Sequence, residues 1–281
     1  MISVCIATHN NKPYLMECLY ALVKTQTYCD TNEIIIYDND STDGTDLAVE
    51  LFQRNNPKCN IVYEKGPNLY QYGALHKCYQ KCKNDITWRI HTDHIIVKKG
   101  WEAAFIKAAK KALHPYLWVL CSRSIEPIHS YYAYIYHIIK DYGQNIEQYH
   151  KYKGNLFKDF VDHNDDTIIQ GYREPYCFSK KLYDKLDHEA MLSLKGYAGD
   201  DFLIMNAYHL GVRRFYMVNN VLTYHIAGAR GGQTNARAGN ADKDNDDPYI
   251  FFETYWKSKG YKDARHPGAW LSQLIPQCIP I

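Results

Sequence analysis

An acidic turn after the second apolar run is the first segment whose residue types suggest chemistry. Residues 38–45, from Asp38 to Thr45, directly follow the apolar stretch Glu33–Tyr37. A carboxylate just past a buried strand can accept hydrogen bonds from a nucleotide base or a ribose. Asp, Ser and Thr also begin helices, so the turn is open to interpretation as a nucleotide site or as a helix cap.

A second cluster, His91-Thr92-Asp93-His94, follows a later apolar run and precedes Gly100-Trp101. An Asp flanked by His offers oxygen and nitrogen ligands within one short turn, and this set suits Mn²⁺ better than Mg²⁺. Such a cation neutralises charge on a diphosphate leaving group. The alternative is a polar turn that binds no metal.

Two later features extend this candidate chemistry. Gly199-Asp200-Asp201 stands at the start of a predicted helix. Paired carboxylates beside a crevice can include one that serves as a general base, and helix capping is the other interpretation. His225 ends a predicted strand and can complete a metal site.

Alternating strands and helices in the first third of the chain are expected to position these groups. Compact apolar runs predict buried strands at Ile2–Ala7, Glu33–Tyr37, Cys59–Tyr63 and Ile86–Ile90. This alternation implies right-handed βαβ units and a parallel sheet. Open α/β sheets bind ligands where their strands end. One crevice is therefore predicted to hold Thr8, His9, Asp38, Asn39, Asp40 and the turn from His91 to His94.

The helices between these strands are each predicted to bury one apolar face. The faces are Leu15, Cys18, Leu19, Leu22 and Val23 after Pro13; Leu47, Ala48, Leu51 and Phe52; and Leu75, Cys78, Tyr79 and Cys82.

The second half of the chain has weaker periodicity. Strands are predicted at Tyr116–Cys121, Gly171–Ser179, Arg214–Val218 and Val221–His225, and helices at Asp200–Leu210 and Tyr249–Lys259. Ile226–Asp247 has no apolar periodicity and is predicted to be a mobile loop.

Bulk composition excludes some classes of protein. The 33 basic and 31 acidic residues nearly balance, whereas a nucleic-acid-binding protein more often has a basic excess. Nine scattered cysteines without a CxxC pair favour a reducing compartment over a disulfide framework or a zinc site. No apolar run reaches the roughly 18 residues of a membrane span. We therefore expect a cytoplasmic protein, soluble or peripheral to a membrane, without an integral membrane segment.

In order and spacing, these blocks resemble the family 2 glycosyltransferases over about 225 residues. Ser3–Asn10 resembles the family's opening, and Ile34–Thr45 resembles its Val-Asp-Asp-Gly-Ser-Thr-Asp-Gly-Thr block. Asn68 with Gly73–Lys77 resembles the Asn-x-Gly…Ala-x-Asn segment. Three further blocks stand where the metal motif, the Glu-Asp base motif and a late metal-ligand His belong, namely His91–Trp101, Gly199–Asp201 and His225.

The resemblance implies an α/β protein of the GT-A fold, with a single Rossmann-like, mostly parallel sheet flanked by helices. It also implies an irregular acceptor-side region and a C-terminal helical segment. Residues 1–123 would form the nucleotide-sugar half, residues 124–225 the acceptor and catalytic-base half, and residues 226–281 a lid loop and C-terminal helix.

The implied reaction is an inverting transfer from a nucleoside-diphosphate sugar, with a UDP-sugar favoured, to an acceptor hydroxyl. Asp201 would be the base and Asp200 the fallback, and Asp93, His94 and His225 would bind Mn²⁺ or Mg²⁺. Donor contacts are expected at Ala7, Thr8, His9, Asp38, Asn39, Asp40, Lys77, Thr92, Asp93 and Arg230.

The chain departs from the family pattern at the base-reading and metal positions. Asn39 replaces an Asp that often reads the uracil imide, and His9 replaces a Tyr that often packs on the base. Alignment on Gly100-Trp101 makes His94 the second acidic position, whereas alignment on the strand end makes it Asp93.

Several alternatives remain for the function and the acceptor. A nucleotidyltransferase also binds a nucleotide at the sheet edge, and a catalytically silent protein would only bind glycans or partners. The acceptor is a glycan or another hydroxyl compound, and a nucleic acid is possible if a basic patch forms from Lys180, Lys181, Lys185, Arg213 and Arg214. Two roles are considered for a group of four tyrosines, which could stack on the acceptor or pack within the protein: Tyr131, Tyr132, Tyr134 and Tyr136.

Overall fold

Within the described residues, ten strands form one mixed sheet. The structure is a computed structural model. It describes residues 1–27, 32–112, 114–127, 137–139, 145–156, 168–170, 175–193, 199–213, 215–226 and 254–260. The sheet contains strands from both of the first two predicted segments, 1–123 and 124–225.

The first half consists of β1 (Ile2–Thr8), α1 (Lys12–Thr25), β2 (Glu33–Asn39), α2 (Thr45–Asn55), β3 (Asn60–Gly66), α3 (Tyr70–Lys81) and β4 (Ile86–Arg89). These four strands pair in parallel, as predicted from their alternation with helices. β1 and β2 are buried along almost their whole length because the sheet is covered on both faces. The predicted parallel sheet is therefore confirmed for this half.

The second half consists of β5 (His94–Ile96), α4 (Trp101–Lys111), β6 (Val119–Pro127), β7 (His137–Ile139), α5 (Ile146–Leu156), β8 (Ile168–Gln170), β9 (Tyr176–Ser179), α6 (Lys180–Tyr183), α7 (His188–Ser193), α8 (Gly199–His209) and β10 (Phe215–His225). In space the strands follow the order β3-β2-β1-β4-β9-β6-β10-β5, with β7 paired to β6 and β8 paired to β10. β9 runs antiparallel between β4 and β6, and β5 runs antiparallel along β10. A terminal helix follows at residues 254–258, inside the range predicted as the last helix.

Two separate cores cover the two faces of the sheet. One contains Leu75, Phe202 and Trp256, which belong to α3, α8 and the terminal helix. The other contains Leu19 of α1 and Trp101 of α4. Fully buried aromatic side chains, each with a large apolar area, lie on both faces of the sheet.

The predicted apolar face of α2 is confirmed at Phe52 and wrong at Leu47 and Leu51. Phe52 is buried, as is Val49, whereas Leu47 and Leu51 are 70% and 58% exposed. The helix lies beside β3, an edge strand whose residues are only partly buried. The sheet therefore ends beside α2, and it does not extend far enough to cover Leu47 and Leu51.

The two short strands predicted at Arg214–Val218 and Val221–His225 form one strand, β10, whose pairing with β6 shifts between Val218 and Leu222. A bulge of this kind bends a strand without ending it. The polar pair inside the bulge explains why the sequence pattern breaks there.

The cysteines of β1 and α3 pack in the core. The sulfur atoms of Cys5 and Cys82 are 3.4 Å apart, and the Cys78 thiol donates to the carbonyl of Ile6 at 3.5 Å. Burial raises the pKa of both Cys5 and Cys78, so these two side chains stay thiols at neutral pH. Within the described ranges, no helix is long and apolar enough to cross a membrane.

Candidate active site

The acidic turn, residues 38–45, begins with the last two residues of β2, and the side chains of these two residues fix the turn by hydrogen bonds. Asp38 is fully buried, and its two carboxylate oxygens accept from the backbone N–H of Ser41 at 2.8 Å and the hydroxyl of Tyr63 at 2.6 Å. Asn39 is also buried, and its amide accepts from Leu69 N at 2.9 Å and donates to the carbonyl of Tyr70 at 3.3 Å. These two side chains therefore fix the turn and join it to the loop before α3.

Tyr63 is a partner that the sequence pattern did not identify. Burial, followed by the hydrogen bond to Asp38, raises the pKa of this phenol. It therefore stays protonated and donates to the carboxylate at any working pH. Its place on β3 could be inferred only with the β2–β3 register, which pairs Tyr63 with Ile36.

The turn after β1 is held against the acidic turn by several hydrogen bonds. His9 Nδ1 donates to the carbonyl of Asn39 at 2.6 Å. Asn10 donates its backbone N–H to Ser41 Oγ and accepts from the backbone N–H of Thr42, each at 2.8 Å. Asp40 stays exposed at the rim, where its backbone adopts a φ of 59°.

The turn from His91 to His94 lies at the same edge of the sheet. It is joined to the turn after β1 by Asn11, whose side-chain amide donates to the hydroxyl of Thr92 at 2.8 Å. Thr8 is buried beside these turns at the end of β1. The structure thus brings together the three turns that the sequence placed in one crevice, because parallel strands end at one edge of the sheet.

Asp93 lies between two imidazoles. His94 Nδ1 is 3.2 Å from one carboxylate oxygen of Asp93, and His225 Nε2 is 3.2 Å from the other. The two rings are stacked with centroids 4.3 Å apart and an interplanar angle of 7°. His225 reaches this position because β10 pairs with β5, where His225 faces His94, and because Ile226 N donates to the carbonyl of Asp93.

The charge state of this cluster suits a cation. Burial by itself raises the pKa of Asp93, but the attraction of His225 and the hydrogen bonds from both imidazoles hold it well below its ordinary value. Burial, followed by repulsion from His225, lowers the pKa of His94, and Asp93 only partly offsets this. Asp93 is therefore an anion beside a neutral His94, which is the ligand form of both residues.

His91 joins the group, since ligand atoms of His91, Asp93 and His94 lie within 4.8 Å of one another. Its Nε2 is 3.2 Å from Arg89 Nη2 and 2.9 Å from Gln71 Nε2. A guanidinium can only donate, so Nε2 of His91 is the acceptor and its lone pair is engaged. Gln71 and the buried Arg89 were not identified from the sequence, although Arg89 stands out as a charge ending an apolar run.

Other predicted site residues are placed only in part. Asp200 and Asp201 belong to the first turn of α8, and their side chains lie outside the described residues. Arg230 and the tyrosines at 131, 132, 134 and 136 also lie outside them. Lys77 is on the exposed side of α3, about 10 Å along the helix from its start.

Three residues of the predicted basic patch contact neighbouring groups. Lys180 pairs with Asp184 at 3.1 Å, and Lys185 lies over the Tyr116 ring at 5.8 Å. Arg213 donates to the carbonyl of Tyr208 at 2.6 Å and covers that ring. Arg214 lies outside the described residues.

The same three turns fall within the segment that matches a known protein family. The model for "Glycosyl transferase family 2" matches residues 3–111. The match covers 109 of the 281 residues, which is less than half of the chain. The matched residues 3–111, called here the family 2 segment, run from β1 through α4 and include both the acidic turn and the Asp93 cluster.

A curated relative matches a shorter stretch. The abequosyltransferase RfbV of Salmonella typhimurium is 40% identical over 99 residues, which is 35% of this chain and 29% of that protein. The match thus spans less than a third of the relative's length.

Solved structures extend the likeness to most of the chain. The mannosyltransferase PcManGT from Pyrobaculum calidifontis, in complex with GDP-Man and Mn²⁺, has a TM-score of 0.59 and 15% identity, covering 96% of this chain and 69% of that one. S. aureus TarS 1–349, in complex with UDP-GlcNAc, has a TM-score of 0.54 and 15% identity, covering 79% and 57%. The protein has the GT-A fold that the sequence predicted.

Proposed function

We propose that this protein is an inverting glycosyltransferase that moves a sugar from a nucleoside-diphosphate sugar to an acceptor hydroxyl. The observation that carries the proposal is the Asp93 cluster, placed where three turns of the family 2 segment meet. A nucleotide-sugar site needs a place for the base and ribose and a cation for the diphosphate, and this edge of the sheet offers candidates for both.

The donor nucleoside is proposed to bind between the turns after β1 and β2. Asp38 and Asn39 use their side chains within the protein, so they shape this site by holding its walls. Asp40, at the exposed rim, and the turn after β1 supply groups that can contact a ligand. A UDP-sugar is the favoured donor, and a solved structure of similar fold contains UDP-GlcNAc.

The donor set around Asp93 fits a divalent cation. One carboxylate lies within 3.2 Å of two imidazole nitrogens, so small rotations can turn all three toward one ion. A mixed oxygen and nitrogen set favours Mn²⁺ over Mg²⁺, and a solved structure of similar fold contains Mn²⁺. We assign the ligands to Asp93, His94 and His225; a bound cation would stabilise negative charge on the diphosphate that leaves.

Asp201 is proposed to remove the proton from the acceptor hydroxyl, and Asp200 is the alternative. Both residues start α8, which packs on the α3 side of the sheet. The acceptor is proposed to be a glycan hydroxyl, because the curated relative is an abequosyltransferase.

The proposal is tested with a panel of nucleotide sugars, incubated with Mn²⁺ and candidate acceptors while nucleoside diphosphate release and product stereochemistry are followed. Asp201→Asn is expected to lower kcat by roughly 10² or more, the usual effect of removing a general base. Asp184→Asn, at the exposed residue that follows α6, serves as the matched control and should retain wild-type turnover. Donor binding without turnover for every donor and acceptor would instead indicate a catalytically silent protein.

A further inference from the structure

We propose that Asp187 and Tyr255 form a clasp that positions α8, and with it the catalytic base; this rests on the proposed function. The Tyr255 hydroxyl donates to the Asp187 carboxylate at 2.6 Å. The bond joins the terminal helix to the start of α7, two elements that are 68 residues apart in the chain. Neither residue lies within the family 2 segment.

Asp187 reaches three elements at once. Its other carboxylate oxygen accepts from the backbone N–H of Ala190 at 3.0 Å and caps α7. Its own backbone N–H is 3.3 Å from the side-chain oxygen of Asn206, which is buried in the middle of α8. The hydrogen bonds of one residue therefore connect α7, α8 and the terminal helix.

Aromatic packing completes the contact at the first turn of α8. Phe202 is fully buried, with ring centroids 4.9 Å from Tyr255 and 5.3 Å from Trp256. Trp256 is also fully buried and reaches His209 at the other end of the helix, with centroids 5.9 Å apart. Phe202 is the residue next to Asp201, so fixing this ring fixes the rotation of α8 about its axis.

The size of the expected effect follows from helix geometry. A side-chain carboxylate stands about 5 Å from a helix axis, so a rotation of about 10° moves it by about 1 Å. Misplacement of a reacting group by about 1 Å can lower a rate by up to about 10². Loosening the clasp should therefore lower turnover. Donor binding should stay nearly unchanged, because the donor is proposed to bind at the C-terminal ends of β1 and β2.

The clasp also explains the charge state of Asp187. The hydrogen bond from Tyr255 lowers the pKa of this carboxyl, and the Ala190 N–H lowers it further against the effect of burial. The carboxylate is therefore an anion at neutral pH and accepts both bonds. Charge-assisted bonds of this type are stronger than neutral ones, which suits a contact that must hold two distant segments.

The test compares Tyr255→Phe, Asp187→Asn and the double variant in the full chain, with Val49→Ala as a control. Tyr255→Phe removes only the hydroxyl, and Asn keeps the cap on α7 because Asn also caps well. Val49 is buried in α2 on the other face of the sheet, so its truncation destabilises the protein away from α8. Two readouts are used, amide hydrogen exchange and steady-state kinetics.

Each clasp variant should speed exchange in residues 199–206 by about 10-fold while exchange in β1 and β2 stays unchanged. We expect kcat to fall by about 10-fold, with the donor KM within about twofold of wild type. The double variant should be no worse than either single variant, because both single variants remove the same charge-assisted bond. Val49→Ala should reproduce neither the local exchange nor the fall in kcat.

Unchanged exchange in α8 for both clasp variants would overturn the clasp. Faster exchange with kcat equal to that of Val49→Ala would show that α8 does not hold the base. If the wild-type protein transfers no sugar from any donor, the proposed function fails, while the exchange measurement still decides whether the clasp exists.

Discussion

Replacing Tyr63 by Phe tests whether Asp38 holds the acidic turn, the proposed nucleotide-binding turn, from inside. Asp38 is fully buried, and its carboxylate receives two described hydrogen bonds, one from Ser41 N and one from the Tyr63 hydroxyl at 2.6 Å. Tyr63→Phe removes only the hydroxyl and leaves the ring. One oxygen of a buried anion then loses its donor.

The expected destabilisation follows from that geometry. A hydrogen bond to a charged group contributes about 1.5–3 kcal/mol to stability, and a buried charged acceptor that loses its partner adds a desolvation cost. With a urea m-value of about 3 kcal/mol/M for a chain of this size, the midpoint should fall by about 0.5–1 M. The donor KM should rise, because the turn that the bond fixes forms one wall of the proposed nucleoside site.

The assay is urea unfolding followed by fluorescence, together with the donor KM from nucleoside diphosphate release. Tyr20→Phe is the matched control, since Tyr20 is 56% exposed and makes a ring contact with Phe52 that the substitution preserves. Its midpoint should stay within about 0.2 M of wild type, as surface substitutions usually change stability by less than about 0.5 kcal/mol. An equal midpoint for Tyr63→Phe and wild type would refute the internal role of Asp38.

Three further outcomes follow from the structure. Burial lowers the pKa of both His76 and His188, whose rings lie 4.9 Å apart. Below about pH 6.5 the unfolded chain therefore binds more protons than the folded chain, and the urea midpoint should fall as the pH is lowered from about 7.5 to about 5. A midpoint that does not change with pH would contradict this. Asp93→Asn should weaken Mn²⁺ binding, measured by calorimetry, by at least about 10-fold. His91→Asn should change the binding by less than about threefold, because Nε2 of His91 already accepts a hydrogen bond from Arg89. An equal loss in both variants would make His91 a ligand. Gly44→Ala should cost about 1 kcal/mol in urea unfolding, since residue 44 has a φ of 79° at the start of α2, and a stability gain would exclude this strain.

Local pattern was sufficient for the first half of the fold. Runs such as Ile2–Ala7 and Glu33–Tyr37 are apolar throughout, and only a strand covered on both faces needs that pattern. Their alternation with helices then brings the ends of β1, β2 and β4 to one edge. The acidic turn and the turn at Asp93 could therefore be placed together from the sequence.

Local pattern failed where burial depends on what lies opposite. Leu47 and Leu51 have the spacing of a buried helix face, but α2 flanks the edge strand β3, and both side chains face solvent. The contact between Tyr63 and Asp38 likewise depends on the β2–β3 register, because only that register brings the two side chains to one face of the sheet.

The sequence, through its resemblance to the family 2 glycosyltransferases, implied the GT-A fold, an acidic turn at the edge proposed to bind the nucleotide, and a metal set of Asp93, His94 and His225. Only the tertiary structure decided how His225 reaches the other two residues. Asp93 and His225 are 132 residues apart, and antiparallel pairing of β10 with β5 sets His225 against His94. A strand register is fixed by the packing of both sheet faces, so the local sequence around His225 could not specify which residue it would meet.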